Sequence, residues 1–307
     1  MVHLLKQEAL VHGEKLQILS INRLQNLKSE IELFKKNGDL NEFQKWIVNN
    51  LYKFETPTVE FIIKSIIIIA IPHPSYAKVE FVRQGKKYSF LSLVMSDFDN
   101  TEEYINDFLA PKGYHIKSTL NLPLKRLAAQ SGLAVYGKNN ICYMEGMGSF
   151  FSFAAYFSDI PCDNDDWTEM RQADICANCN ICFNNCPTGA IRKFRFLIDN
   201  ERCLSYYNES TKEFPEWIPL SVHHCLYDCL KCQANCPMNK EYVNNVSEVI
   251  KFSGDETNML LSGSPYDAFT PALQHKSKIL GLNQWLDAIP RNLEILFKLN
   301  EYKEDDK

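Results

Sequence analysis

The longest block of apolar positions runs Phe61-Ile-Ile-Lys-Ser-Ile-Ile-Ile-Ile-Ala-Ile71 and stops at Pro72-His73-Pro74. It lacks the alternation of a half-exposed strand, and its β-branched run predicts a central strand buried on both faces. It is too short to span a bilayer and carries Lys64. Upstream, residues 4–19 carry apolar positions at mixed helical spacing and predict a first helix. Leu24, Leu27, Ile31 and Phe34 form one face of a second helix, stopped near Asn37-Gly38. Leu40, Phe43, Ile47, Leu51 and Phe54 predict a third, ended by Pro57, which disfavours helix at Thr56.

After the central strand the pattern is less decisive. Residues 78–98 place apolar residues in blocks, and Tyr88 to Met95 fits a helix or a strand. From Thr101, the residues Tyr104, Ile105, Phe108 and Leu109 mark a helix closed by Pro111-Lys-Gly113, and Tyr114 to Ser118 reads as a short strand. Leu122 to Ser131 predicts a helix with Gly132 in the left-handed conformation beyond its end. Ile141 to Met144, the turn Gly146-Met-Gly148 and Phe150 to Ser158 read as strand, turn, strand, the last covered on both faces. The acids Asp163, Asp165, Asp166 and Glu169 read as an exposed loop at a domain boundary. The chain then divides into 1–170, a cysteine-rich module at 171–243 and a mainly helical tail at 244–307, frayed over Lys303 to Lys307.

The module carries the chemistry. Cys176-Ala-Asn-Cys179-Asn-Ile-Cys182-Phe-Asn-Asn-Cys186-Pro187 is C-x2-C-x2-C-x3-C-P. In two-cluster ferredoxins three such thiolates grip one cubane and the fourth ligates the other cluster. The partner run is Cys229-Leu-Lys-Cys232-Gln-Ala-Asn-Cys236-Pro237. A zinc site prefers paired C-x2-C units closing one tetrahedron, which the triplet fits badly. Crossover assigns Cys176, Cys179, Cys182 and Cys236 to one 4Fe-4S cluster and Cys186, Cys229 and Cys232 to the other. The symmetric position for the eighth ligand holds Leu226, and spacing leaves Cys203 and Cys225 open. Cys142 and Cys162 are expected to be buried structural thiols.

Composition narrows the setting. The chain has 307 residues, eleven cysteines and a net charge of −5, and no basic excess for gripping nucleic acid. The N-terminus shows no signal segment, so a cytoplasmic protein with reduced thiols and no membrane partner is expected.

Several segments together resemble the epoxyqueuosine reductases and their relatives, the cobalamin-dependent reductive dehalogenases. They are Gly132-Leu-Ala-Val-Tyr-Gly137-Lys-Asn139, Gly148-Ser149, Ser158-Asp-Ile-Pro161, Cys176 to Ile191, Arg202-Cys203-Leu-Ser-Tyr206 and Cys229 to Asn239. The resemblance covers roughly residues 60–240. It implies an α+β chain: a nitroreductase-like N-terminal domain, a bacterial ferredoxin-like double-cluster module and a helical C-terminal extension. It implies Cys203 as the eighth cluster ligand. It also implies a cobalamin lined by Gly137, Lys138, Asn139 and Ser149. Lys138 is the cation expected to pair with an anionic group of cofactor or substrate.

Three departures from the family pattern shape the expected function. Aligned without gaps from Gly132, Ser118 falls where the family carries its proton-donating acid, and Ala134 replaces a glycine. The longer C-terminal region of some family members is missing as well. The expected activity is therefore reduction of an unidentified small molecule, with electrons passing from an external ferredoxin- or flavodoxin-type donor through two clusters to cobalamin. On this reading tRNA is an unlikely partner. The alternatives are an electron-transfer module serving a partner's redox centre, and an epoxyqueuosine reductase whose acid is displaced to Asp97, Asp99 or Asp107. No catalytic residue is assigned. Tyr114, His115, Tyr136 and Tyr143 are replacement proton-donor candidates, and His73, His223 and His224 are candidate ligands.

Overall fold

The structure is a computed structural model that describes residues 1–37, 39–193 and 196–305, with side chains through residue 301. Gly38, in the expected stop of the second helix, and Asp306-Lys307, in the expected frayed end, lie outside the described residues. In chain order the first half comprises α1 (Val2–Val11), β1 (Lys15–Ser20), α2 (Arg23–Lys36), α3 (Glu42–Trp46), β2 (Ser65–Pro72), β3 (Ala77–Arg83), β4 (Lys86–Ser92), α4 (Phe98–Leu109), β5 (Ile116–Thr119), α5 (Leu124–Gln130), β6 (Val135–Tyr136), β7 (Cys142–Tyr143) and β8 (Phe151–Ser158). The second half adds α6 (Ile181–Asn185), α7 (Leu204–Asn208), α8 (Lys231–Ala234), β9 (Ile250–Phe252), α9 (Gly254–Leu261), α10 (Pro271–Ile279) and α11 (Ile289–Asp305). The class is mixed α and β.

Contacts divide the chain into two units: Met1–His73 with Ser96–Cys179, and Pro74–Met95 with Asn180–Lys307. This differs from the contiguous division drawn from sequence. The hairpin β3–β4 interrupts the first unit's sequence yet contributes to the second unit's core.

In the first unit an antiparallel sheet runs β1-β2-β8-β5. Strand β2 is buried at every position but Pro72. Ile67, Ile69 and Ile71 join Leu5 and Ala9 of α1 and Tyr104, Ile105 and Leu109 of α4 in one cluster. Ile66 and Ile68 face the opposite side of the sheet, and α5 contacts β2 and β8. The helix expected at 4–19 is in fact α1 followed by β1. Gly13, at φ +74°, ends α1, and Leu16 and Ile18 then alternate into the core. The expected third helix is shorter too: α3 gives way to one π turn at Ile47–Leu51.

The ambiguous stretch 78–98 is mostly a hairpin of the second unit, β3 and β4 over Ala77–Ser92, while Phe98 already opens α4 in the first. Gln84 and Gly85 both have positive φ, as a two-residue connection between twisted strands requires. Strand β9 pairs parallel with β3, and β4 pairs with β3 on its other edge. Phe81 stacks on Phe252 at 4.4 Å, and Phe297 of α11 meets Tyr88 and Phe90 edge-on. Gly281, at φ +68°, leaves room for Met95, since a Cβ there would lie 2.7 Å from its sulfur.

Among the described residues of the first unit, two carboxylates have buried side chains: Asp165, expected in an exposed loop but held by Arg23 at 2.7 Å, and Glu14. Glu14 accepts hydrogen bonds from the Thr101 hydroxyl at 2.6 Å and the Tyr104 hydroxyl at 2.8 Å, beside a His12 ring stacked on Tyr104. Burial is the largest influence and pushes its pKa above the ordinary 4.5, against the two hydroxyl donors. The native chain then holds a proton at pH values where the unfolded chain has released it. Stability is therefore expected to fall as pH rises from about 4.5 through the native value. Denaturant titrations across that window should show this slope in the wild type and a flatter one in Glu14→Gln.

Candidate functional site: the cysteine runs and the Gly137 turn

The cysteine runs fold into paired short helices. Residues Asp174–Cys176 make one 3-10 turn, α6 follows Cys179, and Cys186 ends α6 in the extended conformation that a following proline demands. The second run repeats this, with α8 after Cys229 and Cys236 extended before Pro237. Helices α6 and α8 contact each other. Each Cys-Pro step thus turns its thiol-bearing residue out of a helix by the same local rule.

None of the eleven cysteines, all of them among the described residues, is in a disulfide. The Ala190 amide donates to Cys186 Sγ at 3.2 Å. Arg202 Nε donates to the Thr188 carbonyl at 3.2 Å, tying the segment before Cys203 to the turn after Cys186. Asp228 adopts φ +60°, and its carboxylate accepts the Cys229 amide at 2.6 Å and the Ser205 hydroxyl. Burial pushes the Cys203 and Cys229 thiols upward; the Ser205 hydroxyl and amide pull Cys203 back. Cys203 interacts electrostatically with Cys186, and Cys229 with Cys232, Cys225 and Cys203. Cys225 is 2% exposed, pairs its backbone with Leu91 of β4, and is pushed up to about 12 by burial. Of the two candidates left open by spacing, only Cys203 is so linked to both Cys186 and Cys229 among the interactions described.

This donor set fits iron–sulfur clusters: reduced sulfurs on tight loops, with a backbone amide aimed at one of them. Among the described residues, no group of three or more His, Cys, Asp or Glu is placed to hold a single metal ion. A cubane is held from its corners instead. Cys142 is buried and pushed up to about 12 by burial, whereas Cys162 is only partly buried, with Sγ 3.4 Å from the Ile18 carbonyl.

The turn between β6 and β7 carries the residues assigned to a corrinoid. Gly137, Asn139 and Ser149 are buried. A Cβ at Gly137 would lie 2.6 Å from Tyr143 Cε2, so the tyrosine ring packs directly on the glycine. Asn139 donates to the Tyr143 hydroxyl at 2.8 Å. Lys138 donates to the Cys179 carbonyl at 2.6 Å. Gly137 and Asn139 thus meet Tyr143, and Lys138 meets the cysteine loop. A cavity of about 560 Å³ in this unit is lined by residues such as Lys6, Lys15, Leu133, Tyr143 and Met144.

The proton-donor candidates separate by environment. Burial raises Tyr136 strongly, Tyr143 is buried, and Tyr114 packs against the first unit's core. His115 alone of the four is exposed, its Nδ1 2.8 Å from Asp159. Ser118 lies exposed on edge strand β5. Asp97 caps α4 by accepting the Asn100 amide, and Asp99 and Asp107 are exposed on that helix. His73 stands edge-on to Phe150. His223 packs on Phe214 and is lowered to about 4, chiefly by burial. His224 places Nδ1 against the Val222 carbonyl and buries an Nε2 without a hydrogen-bond partner. Among the described residues, no helix is long and apolar enough to cross a membrane.

Residues 175–239 match the family model of the 4Fe-4S double cluster binding domain. The chain is similar to epoxyqueuosine reductases in sequence and in fold. It is 26% identical to the Bacillus subtilis enzyme over 261 residues, which are 78% of this chain and 64% of that one. It is 32% identical to the Cyclobacterium marinum enzyme over 38% of this chain and 36% of that one. The Aliivibrio fischeri enzyme matches at 28% over 55% of this chain and 44% of that one. The chain thus spans less than two thirds of the length of each of these relatives. A solved Bacillus subtilis epoxyqueuosine reductase, its catalytic aspartate loop swung out of the active site, superposes with TM-score 0.64 at 20% identity, covering 96% of this chain and 82% of that one. Another, solved with an epoxyqueuosine-modified tRNA stem loop, gives TM-score 0.62 at 21% identity over 96% of this chain and 81% of that one. At these identities the structural likeness shows the fold.

The stem-loop complex overturns the expectation that tRNA is an unlikely partner. A net charge of −5 describes the whole chain, whereas phosphate contacts are made by local groups.

The packing at Gly137 has a direct test. Gly137→Ala forces a methyl group into the Tyr143 ring and toward Asn139 Oδ1, and should cost about 1–3 kcal/mol in urea unfolding. Combining it with Tyr143→Ala should recover part of that loss.

Proposed function

We propose that this chain is an iron–sulfur oxidoreductase of the epoxyqueuosine reductase type, with modified tRNA as its substrate. The paired cysteine runs inside the double-cluster match carry the proposal. One 4Fe-4S cluster is assigned to Cys176, Cys179, Cys182 and Cys236, the other to Cys186, Cys203, Cys229 and Cys232. Cys203 is chosen over Cys225 on the sequence resemblance, and the Arg202–Thr188 hydrogen bond that ties its segment to the turn after Cys186 supports the choice. When bound, the clusters supply single electrons from an external low-potential donor. The chain's own part is to hold the thiolates, exclude water from those that are buried, and aim amides such as that of Ala190 at sulfur.

A nitroreductase-like first unit belongs to the same proposal and rests on the sequence resemblance. The proposed domain plan keeps residues 171–243 as the cluster module, between residues 1–170 and 244–307. A cobalamin lined by Gly137, Lys138, Asn139 and Ser149 also belongs to the proposal and rests on the sequence resemblance alone. Substrate choice rests on the sequence relatives, all epoxyqueuosine reductases, and on the solved complex with a modified stem loop.

Anaerobically purified protein should hold about eight irons and eight sulfides per chain, four of each per cubane. Cys203→Ser should fall to about four irons while Cys225→Ser keeps about eight; the reverse would exchange the two assignments. With a chemical reductant, the loaded protein should convert an epoxyqueuosine-bearing stem loop to its reduced form, read by mass spectrometry. Full iron loading with an unchanged stem loop would reject the substrate and leave the clusters standing.

A further inference from the structure

We propose that Lys138 is a fixed positive charge that sets the reduction potential of the cluster held by Cys179. The inference rests on the double-cluster reading above and concerns a residue not assigned to ligate iron.

The turn that carries Lys138 is braced at several points. The Gly137 amide donates to the Ile141 carbonyl at 2.8 Å, and the Asn140 amide returns to the Gly137 carbonyl at 3.0 Å. Asn140 takes φ +63° to close the turn. Asn139 is anchored on the Tyr143 hydroxyl. The same element holds the approach to the first cysteines: the Tyr136 amide donates to the Arg171 carbonyl, and the Ala173 amide to the Tyr136 carbonyl at 2.7 Å. Residues Asp174–Cys176 follow at once. Within the first unit, then, the segment bearing Cys176 and Cys179 is gripped before its first cysteine by Tyr136 and at its second by Lys138.

The grip at Cys179 is charged. Lys138 Nζ donates to the Cys179 carbonyl at 2.6 Å, and the lysine is half-buried. Carbonyl and sulfur belong to one residue, so the ammonium is stationed beside a ligand of the cluster. Cluster potentials depend on local charge, sulfur hydrogen bonds and solvent exposure. Reduction adds one negative charge to the cluster. A cation held at short range stabilises that reduced state more than the oxidised one, in surroundings that screen it less than bulk water does. Lys138 therefore makes its cluster easier to reduce. A neutral clamp would hold the loop equally well and leave the potential alone.

Three variants separate charge from clamp. Lys138→Gln keeps a hydrogen-bond donor and removes the charge, Lys138→Arg keeps both, and Lys138→Met removes both. Iron and sulfide analysis comes first. A wild-type chain without about eight irons rejects the cluster reading, and this inference with it. With loading established, redox titration followed by electron paramagnetic resonance should resolve two midpoints. Lys138→Gln and Lys138→Met should lower one of them by a roughly tenfold change in the reduction equilibrium, about 59 mV for a one-electron couple. Lys138→Arg should stay near wild type, and the other midpoint should not move in any variant. Should Lys138→Met lose iron, Lys138→Gln still decides. Wild-type midpoints in a fully loaded Lys138→Gln protein overturn the proposal and leave Lys138 as a clamp. Equal shifts of both midpoints overturn it too.

Discussion

A thiolate taken out of water is costly unless something positive meets it, and this chain takes several out at once. Burial drives the Cys203 and Cys229 thiols upward, and neighbouring sulfurs drive Cys229 further. Left as thiols, these groups are weakly partnered side chains crowded onto short loops. On the proposed assignment, iron would displace their protons and turn the crowding into ligation, coupling metal loading to folding. The surrounding structure follows from that need. Pre-proline backbone turns Cys186 and Cys236 out of their helices, Asp228 bends backward at positive φ to meet the Cys229 amide, and Arg202 secures the turn that follows Cys186.

Loops so tightly turned have little core of their own, and in the second unit the core lies beside them. Its aromatic centre is Phe81, Tyr88, Phe90, Phe252 and Phe297. Asn292 of α11 ties it to the cysteine segment by donating to the carbonyls of Asn208 and Leu226. The Leu226 amide donates in turn to the Leu91 carbonyl of β4. The tail is thus part of the frame that holds Cys225 to Cys232, and its helices are more than an appendage.

Legibility from sequence followed how local each determinant was. The continuous apolar run of β2, the amphipathic face of α2 and the cysteine spacing are short-range patterns, and each was readable. The strand β1 was read as helix because Leu16 and Ile18 alternate over too few residues to outweigh the helical segment before them, although Gly13 marked the break. The hairpin β3–β4 carried its own signal, with Ala77, Val79 and Phe81 alternating inward up to Gln84-Gly85, but block-like apolar content in its second strand obscured it. The Gly137 turn is assigned to a cofactor through family resemblance alone. Only coordinates reveal that Tyr143 fills the face of that glycine, because the contact depends on a side-chain direction and not on spacing. For tRNA, net charge is a poor guide, being a sum over surfaces that do not act together.

The parallel pairing of β3 with β9 has a consequence for how this protein is made. Val79 emerges from the ribosome early, and its strand partner Ile250 only after the cysteine runs have been synthesised. Until then the hairpin waits with one edge bare, an open template for wrong pairing. The last helix, whose Phe297 seals the aromatic centre, arrives later still. A nascent chain must therefore guard an unfinished sheet until Ile250 to Phe252 have been synthesised. A chain stalled between Phe81 and Ile250 would leave that edge bare for as long as the stall lasts.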